Sequence, residues 1–178
     1  MRVLIYGFGP YRQFRDNITA RVIESLPEQS GLRTEVFPVQ FRRRQFIDAL
    51  SHHQPDVILG LGQSSRKKID IETRARNRRR AGKSAKPRPI FSGRPKSLPT
   101  TLTIRAGRWV GRSINAGDYV CNYSMYVLLD EIARRGGKTR IGFVHIPHDY
   151  DPQKARRIVQ GVLRQCRRSQ TKTKRRAT

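Results

Sequence analysis

The residue best placed to do chemistry is Cys121, which stands at the start of a segment with helical spacing. The N-terminus of a helix presents unpaired N–H groups and the positive end of the helix dipole, which favour a thiolate and can stabilise an oxyanion. Free cysteine is also among the most buried residue types, so Cys121 could equally be a small core hydrophobe. Position alone leaves both interpretations open.

Two further residues could act together with the thiol. His145 ends an apolar strand, and the carboxyl ends of strands line the ligand crevice of open α/β sheets, so it could be the base. Glu72 lies in a short apolar segment and could orient the imidazole. Each has an ordinary alternative, namely a hydrogen-bonded core histidine and an exposed carboxylate among arginines.

The numbers of cysteines and histidines limit the other chemistry of the chain. It holds two cysteines and four histidines, whose spacing resembles no zinc site. Residues 1–7 predict a first strand and lack the longer apolar segment of a signal peptide. We therefore expect a cytoplasmic protein in which Cys121 and Cys166 are free thiols, because disulfides are rare in reducing compartments. We expect no metal or cofactor, and no membrane association, because no apolar run approaches the roughly 20 residues of a span.

The charge balance is strongly basic. Lys and Arg number 38 and Asp and Glu 13, which gives a net charge of +25. The excess is concentrated in residues 66–96 and 154–176. Such a balance attracts polyanions through phosphate contacts and counterion release, so we expect nonspecific polyanion binding. The alternative is a solvated basic surface without a partner.

The elements that would position these residues follow from the hydrophobic periodicity. Apolar runs alternate with helical spacings, which predicts an α/β fold with a largely parallel sheet. Strands are expected over 2–6, 34–39, 55–61, 69–75 and 140–146, and helices over 17–26, 41–51, 121–134 and 152–166.

Three other segments complete the predicted organisation. Residues 101–104 and 109–114 are expected to form a hairpin, and 78–99 a basic exposed loop rich in Arg, Lys, Pro, Gly and Ser. Residues 1–166 would then form a single catalytic domain, followed by a basic, disordered tail over 167–178.

Six segments, in the same order along the chain, resemble motifs of the pyroglutamyl peptidase I family, also called the pyrrolidone-carboxylate peptidases. They are residues 7–11, 16–19, 55–63, 69–77, 116–126 and 142–147. The most specific are similar to the family's ITVERVAIN, AGTFVCNHVMY and GFIHVP segments, which carry its catalytic glutamate, nucleophile and histidine. Any one match would be weak, but together they cover most of the chain.

The resemblance implies a cysteine peptidase with a three-layer αβα fold and a mostly parallel central sheet. It implies that the enzyme removes N-terminal pyroglutamate from peptides, and that it could be a homo-oligomer. The nucleophile, base and orienting carboxylate would be Cys121, His145 and Glu72. The walls of the ring pocket would be Phe8 and Tyr11, with polar contacts from Gln63 and Asn17.

The chain also departs from the family. Residues 64–67 are Ser-Ser-Arg-Lys, where bacterial members usually have Ala-Gly-Gly-Arg, and the segment after Glu72 is basic rather than acidic and polar. The stretch between Leu98 and Cys121 is too short for the usual helix. Two alternatives follow, namely an altered member that binds polyanions or nucleic acid, and a hydrolase of another blocked N-terminal group.

Overall fold

The structure is a computed structural model that describes residues 1–11, 14–82, 84–107 and 110–174, with side chains as far as Arg168. Its elements, in chain order, are β1 (Val3–Phe8), α1 (Ile18–Glu24), β2 (Leu32–Phe37), α2 (Arg43–His53), β3 (Val57–Ser64), β4 (Ile69–Glu72), β5 (Arg74–Arg76), β6 (Ser97–Pro99), β7 (Val110–Ser113), α3 (Val120–Arg134), β8 (Arg140–Pro147) and α4 (Pro152–Lys174).

A six-stranded sheet with the order β2-β1-β3-β8-β4-β7 forms the middle layer. Its neighbouring strands are parallel except for β4 and β8, which are antiparallel. One apolar cluster joins one face of the sheet to α1 and α4, and another joins the opposite face to α2 and α3. Strands β1, β3 and β8 are almost wholly buried, as expected for a sheet covered on both faces. The predicted α/β class and mostly parallel sheet are confirmed.

The antiparallel contact between β4 and β8 sets the position of the acidic residues. Asp70 lies opposite His145, and Glu72 lies opposite Phe143. Because alternate side chains share a face of a strand, Asp70 and Glu72 lie on the same face as His145. A carboxylate near the end of β4 is thereby brought diagonally beside an imidazole near the end of β8.

The predicted hairpin of 101–104 and 109–114 is wrong. Residues 101–104 form no strand, and β7 pairs with β4 in the parallel sense. The segment instead lies beside the start of β8, where Thr101 and Leu102 donate backbone hydrogen bonds to Ile141 O. Leu102 and Ile104 are buried over Gly142, where an added Cβ would lie 2.9 Å from Ile104 Cδ1. Their apolar side chains therefore serve the core rather than a hairpin. Residues 108 and 109 lie outside the described part of the chain.

The basic segment 78–99 is mostly exposed, but it is not a plain loop. It contains β6, which pairs with β5 in a separate two-stranded sheet. Asn77 Oδ1 accepts hydrogen bonds from Ile90 N and Phe91 N, and its amide donates to Phe91 O. Ile90 and Phe91 pack against the cluster below α2 and α3. One polar side chain therefore folds the segment back onto the core.

The predicted disordered tail is wrong as far as Lys174, because α4 continues to that residue. The apolar side of the helix ends at Cys166, where the sequence-based prediction stopped. Beyond it the chain holds no Gly or Pro, and its Arg, Lys and Gln residues have high helix propensity. The last residues of the predicted tail, 175–178, lie outside the described residues.

Candidate active site

A buried imidazole–carboxylate pair lies where β4 and β8 meet. His145 Nδ1 lies 2.7 Å from Glu72 Oε1, and the two residues are 5% and 0% exposed. Burial would raise the pKa of Glu72, but hydrogen bonding and charge from His145, a hydrogen bond from Ser113 and the charge of Arg66 together hold it below its usual value. An ionised Glu72 fixes the ring so that Nδ1 faces the carboxylate and Nε2 faces away.

Arg66 holds the same carboxylate from the other side. Its Nη1 lies 2.8 Å from Glu72 Oε1 and 3.1 Å from Asp70 Oδ2, and its second Nη donates to Asn115 O. Arg66 belongs to the divergent loop and to the basic stretch 66–96, and its contact with Glu72 was not predicted from the sequence. The sequence offers only a weak indication of this contact, because Arg66 precedes Asp70 and Glu72 by a few residues in the segment that leads into β4.

Glycine on β3 makes room for the imidazole. Gly62 is paired with His145, and a Cβ added to it would lie 2.8 Å from His145 Nε2 and 2.7 Å from Phe143 Cε1. Real Cβ atoms essentially never approach other atoms so closely. The glycine of the Gly-Gln motif at the end of this strand is therefore required sterically. From the sequence, the motif was recognised only by its resemblance to the family.

Cys121 is the second residue of α3, and its side chain is partly exposed. No side chain caps the helix at Tyr119. Burial of the thiol, together with the charge of Glu72, raises the pKa of Cys121 to about 12, opposed by a backbone hydrogen bond and by Arg66. The backbone at the helix start lowers this pKa, as expected, but desolvation is the larger effect, so the pKa is raised on balance. The thiol is protonated at neutral pH and needs a base to become a nucleophile.

The structure brings Cys121 close enough to Glu72 and Arg66 for both charges to act on the thiol. Among the described residues, no hydrogen bond joins Cys121 to His145. Catalytic hydrogen bonds often tighten only when substrate is bound. The roles assigned to the three residues stay predictions.

A cavity of about 230 Å³ opens beside Cys121. It is lined by Phe8, Tyr11, Phe14, Asn17, Val39, Gln63, Ser64, Ser65, Tyr119, Val120, Cys121 and His148. Pockets for drug-sized ligands usually measure about 300–1,000 Å³, so this cavity suits a smaller group. The four residues predicted to bind substrate all lie in its wall, and so do Ser64 and Ser65 of the divergent loop.

Aromatic pairs that the sequence analysis missed form much of the wall. The rings of Tyr11 and Tyr119 lie 5.2 Å apart, and those of Phe14 and His148 lie 5.5 Å apart. Tyr119 directly precedes α3 and His148 directly follows β8, so both flank predicted catalytic residues. That adjacency is the signal that could have identified them.

The polar residues of the cavity differ in which hydrogen-bonding groups are still available to a ligand. Asn17 caps α1 by accepting from Thr19 N, and its amide donates to Gly9 O. Gln63 Oε1 accepts from Ile18 N at 3.0 Å, and its amide nitrogen makes no hydrogen bond within the described residues. Ser64 Oγ is shielded from solvent and also lacks a partner there. Gln63 therefore presents a spare donor to the cavity, Ser64 holds one that is shielded from it, and Asn17 mainly holds the loop in place.

A thiol at a helix start, beside a buried imidazole–carboxylate pair at the end of an α/β sheet, is the arrangement of a cysteine hydrolase. Within that class, the chain belongs to the pyroglutamyl peptidase family, whose model matches residues 1–162. The predicted family is thus confirmed.

Individual relatives agree with this assignment. The chain is 32% identical to a pyrrolidone-carboxylate peptidase of Thermococcus onnurineus over 167 residues, which cover 83% of this chain and 84% of that protein. It is 32% identical to that of Halalkalibacterium halodurans, covering 82% and 83%.

Solved structures of the same name share the fold. A mutant pyrrolidone carboxyl peptidase from Pyrococcus furiosus superposes with a TM-score of 0.81 at 25% identity, covering 92% of this chain and 97% of that one. The enzyme from Thermococcus litoralis gives a TM-score of 0.83 at 21% identity, covering 92% and 91%, and supports the fold alone.

The described residues offer neither a cluster of metal ligands nor a membrane-spanning helix. They contain no group of three or more His, Cys, Asp or Glu side chains that could hold a metal ion. No helix among them is both long and apolar enough to cross a membrane.

Proposed function

We propose that this protein is a cysteine peptidase that removes N-terminal pyroglutamate from peptides. The observation that supports it most is the buried His145–Glu72 contact of 2.7 Å beside a small, largely aromatic cavity that Cys121 lines. Family membership supplies the substrate class, and the cavity is large enough to hold one five-membered ring.

The reaction begins with a proton transfer. His145 accepts the proton of the Cys121 thiol through Nε2, and Glu72 stabilises the imidazolium that forms. The sulfur attacks the carbonyl that joins pyroglutamate to the next residue. The unpaired N–H groups at the start of α3 are placed to stabilise the resulting oxyanion.

The same groups complete the cycle. His145 donates its proton to the departing amine, which leaves a thioester on Cys121, and water then releases pyroglutamate with His145 again acting as base. Phe8 and Tyr11 hold the faces of the ring, and the spare amide of Gln63 donates to its lactam carbonyl. Asn17 is a positioning residue, because it caps α1 and holds the preceding loop through Gly9 O.

A pyroglutamyl amide reporter tests this proposal. We expect wild-type turnover, and a fall of at least about 10³-fold in Cys121→Ala, as for loss of a nucleophile in other triad enzymes. Cys166→Ala is the matched control, since it removes the other thiol, which is buried on the far face of the sheet. Equal activity of wild type and Cys121→Ala, in folded protein, would refute the proposal. Turnover of acetyl or formyl amides but not of the pyroglutamyl amide would favour the other-blocked-group hydrolase.

Three further properties of the enzyme are its domain limits, its cellular location and its oligomeric state. We propose that residues 1–166 form its catalytic domain and that it works in the cytoplasm, and a homo-oligomer stays a prediction. Polyanion binding is a second candidate function. It is favoured by the many basic side chains that face no carboxylate, and the structure suggests where they act together.

A further inference from the structure

A second concave region lies at the edge of the sheet opposite the candidate active site. The parallel strands β1, β3 and β8 end near Cys121 and begin at this other edge. Two cavities of about 640 and 300 Å³ adjoin there and share Arg2 and Pro55. We name them together the basal cleft, lined by Arg2, Val3, Gly31, Arg33, Leu50, Ser51, His52, His53, Gln54, Pro55, Asp56, Ile132, Arg135, Gly137, Lys138, Thr139 and Arg140.

The basal cleft is strongly basic. Arginines and lysine supply five of its lining residues, and Asp56 is its one acid. Asp56 Oδ2 is already engaged by the backbone N–H of Arg2, at 2.7 Å. Within the described residues, the side chains of Arg2, Lys138 and Arg140 form no ion pair with a carboxylate, whereas Arg135 is paired with Glu131.

The negative ends of two helix dipoles reduce the positive charge of the basal cleft but do not cancel it. Helices α2 and α3 both end at the basal cleft, where each presents the equivalent of about half a negative charge. Two such ends amount to about one charge. Together with Asp56 they leave the cleft positive, even with Arg135 counted as neutralised.

We propose that the basal cleft binds the phosphodiester backbone of a nucleic-acid strand. The two cavities adjoin through Arg2 and Pro55, and their unpaired cations are spread over both, with Arg33 in the smaller and Lys138 and Arg140 in the larger. No Phe, Tyr or Trp stands among the described lining residues, so bases cannot stack on such rings. Binding is therefore independent of sequence and governed by counterion release.

This inference gives the polyanion candidate a location and does not depend on the peptidase activity. The test compares the full-length wild type with the triple variant Arg2→Gln, Lys138→Gln, Arg140→Gln. The matched control is Lys154→Gln, Arg157→Gln, Arg164→Gln, which removes two arginines and one lysine from exposed positions on α4. The probe is a fluorescein-labelled single-stranded DNA oligonucleotide of mixed sequence, titrated by anisotropy over a salt series.

We expect the cleft variant to bind more weakly, with the slope of log K against log salt smaller by about 2, since each lost single-strand phosphate contact removes about 0.7. The control should keep most of the wild-type slope, and both variants should retain pyroglutamyl amide turnover and a cooperative melting transition. Equal loss in both variants would show diffuse attraction to the whole surface and overturn the assignment to the cleft. Absent or salt-insensitive binding by wild type would overturn the polyanion candidate as well, without bearing on the peptidase.

Discussion

Cys121 and Glu72 show how burial changes the chemistry of single residues in opposite ways. Desolvation acts on both side chains and disfavours their charged forms. Glu72 overcomes it because His145 and Arg66 lie within hydrogen-bond distance. Cys121 gains no comparable partner, so it keeps its proton. Glu72 is therefore held in its charged form by its partners, whereas the Cys121 thiol is held in its neutral form. In the proposed mechanism the thiol becomes charged only when a neutral His145 takes its proton.

Ser64 carries a prediction about ring recognition. Its hydroxyl is shielded from solvent and has no partner among the described residues, so rotation of the side chain toward the cavity would give it a lactam oxygen or nitrogen as its first partner. We expect Ser64→Ala to lower kcat/KM for a pyroglutamyl amide by about 2- to 12-fold, the value of one net hydrogen bond of about 0.5–1.5 kcal/mol. Inhibition by 2-pyrrolidinone, the bare lactam ring, should weaken by the same factor.

Ser65→Ala is the control for that experiment, since Ser65 also lines the cavity but is exposed. It should leave both constants unchanged. The free energy of unfolding of Ser64→Ala should equal or slightly exceed that of wild type, because the substitution removes an unsatisfied buried polar group. Unchanged kinetics in Ser64→Ala would show that the hydroxyl does not meet the ring.

At the scale of elements, β3 is shaped by the strands beside it. Both Gly60 and Gly62 face large side chains of neighbouring strands, and an added Cβ at either position would clash. We expect Gly62→Ala to reduce activity by at least about 10²-fold by displacing His145, since a shift of about 1 Å in a catalytic group can have that effect. It should also destabilise the fold by about 1–3 kcal/mol through overpacking.

Gly161→Ala in α4 is the matched substitution. There the nearest atom to an added Cβ is 3.8 Å away, on the flexible side chain of Arg164. Because alanine is the better helix former, we expect a gain of about 0.5–1 kcal/mol with full activity. Chemical denaturation and reporter kinetics measure both variants. A stable, active Gly62→Ala would mean that β3 does not constrain the imidazole.

The positions of some elements could be predicted from the sequence, but the contacts between others could not. The helix start at Cys121 and the strand end at His145 were predictable, because periodicity and motif agree there. The direction of β4 was not, because four alternating residues look the same in either orientation, and yet that direction brings Glu72 to His145. Arg66 and the packing of Asn77 depend on tertiary contacts with no local periodicity. The raised pKa of Cys121 depends on how completely the folded surroundings exclude water. That exclusion could not be predicted from the sequence.

At the scale of the whole molecule, the net charge of +25 acts on stability as well as on binding. Several of the described ion pairs, such as Arg21–Asp16 and Arg78–Asp118, leave both partners substantially exposed, and such pairs contribute about 0–1 kcal/mol each. Self-repulsion extends over a Debye length and involves every cation on the surface. Salt weakens both effects, but repulsion is the larger one in a chain with nearly three basic residues for each acidic one.

We therefore expect the melting temperature to rise as salt is raised from about 0.01 M to about 0.5 M, over which the Debye length falls from about 30 Å to a few Å. The α4 variant Lys154→Gln, Arg157→Gln, Arg164→Gln should gain less than wild type, because it has less repulsion to screen. Sucrose at equal osmolality separates screening from preferential exclusion, since sucrose stabilises without screening charge. A melting temperature that falls with added salt would mean that the network around Glu131, where Arg43, Arg134 and Arg135 converge on one carboxylate, outweighs the repulsion of the whole surface.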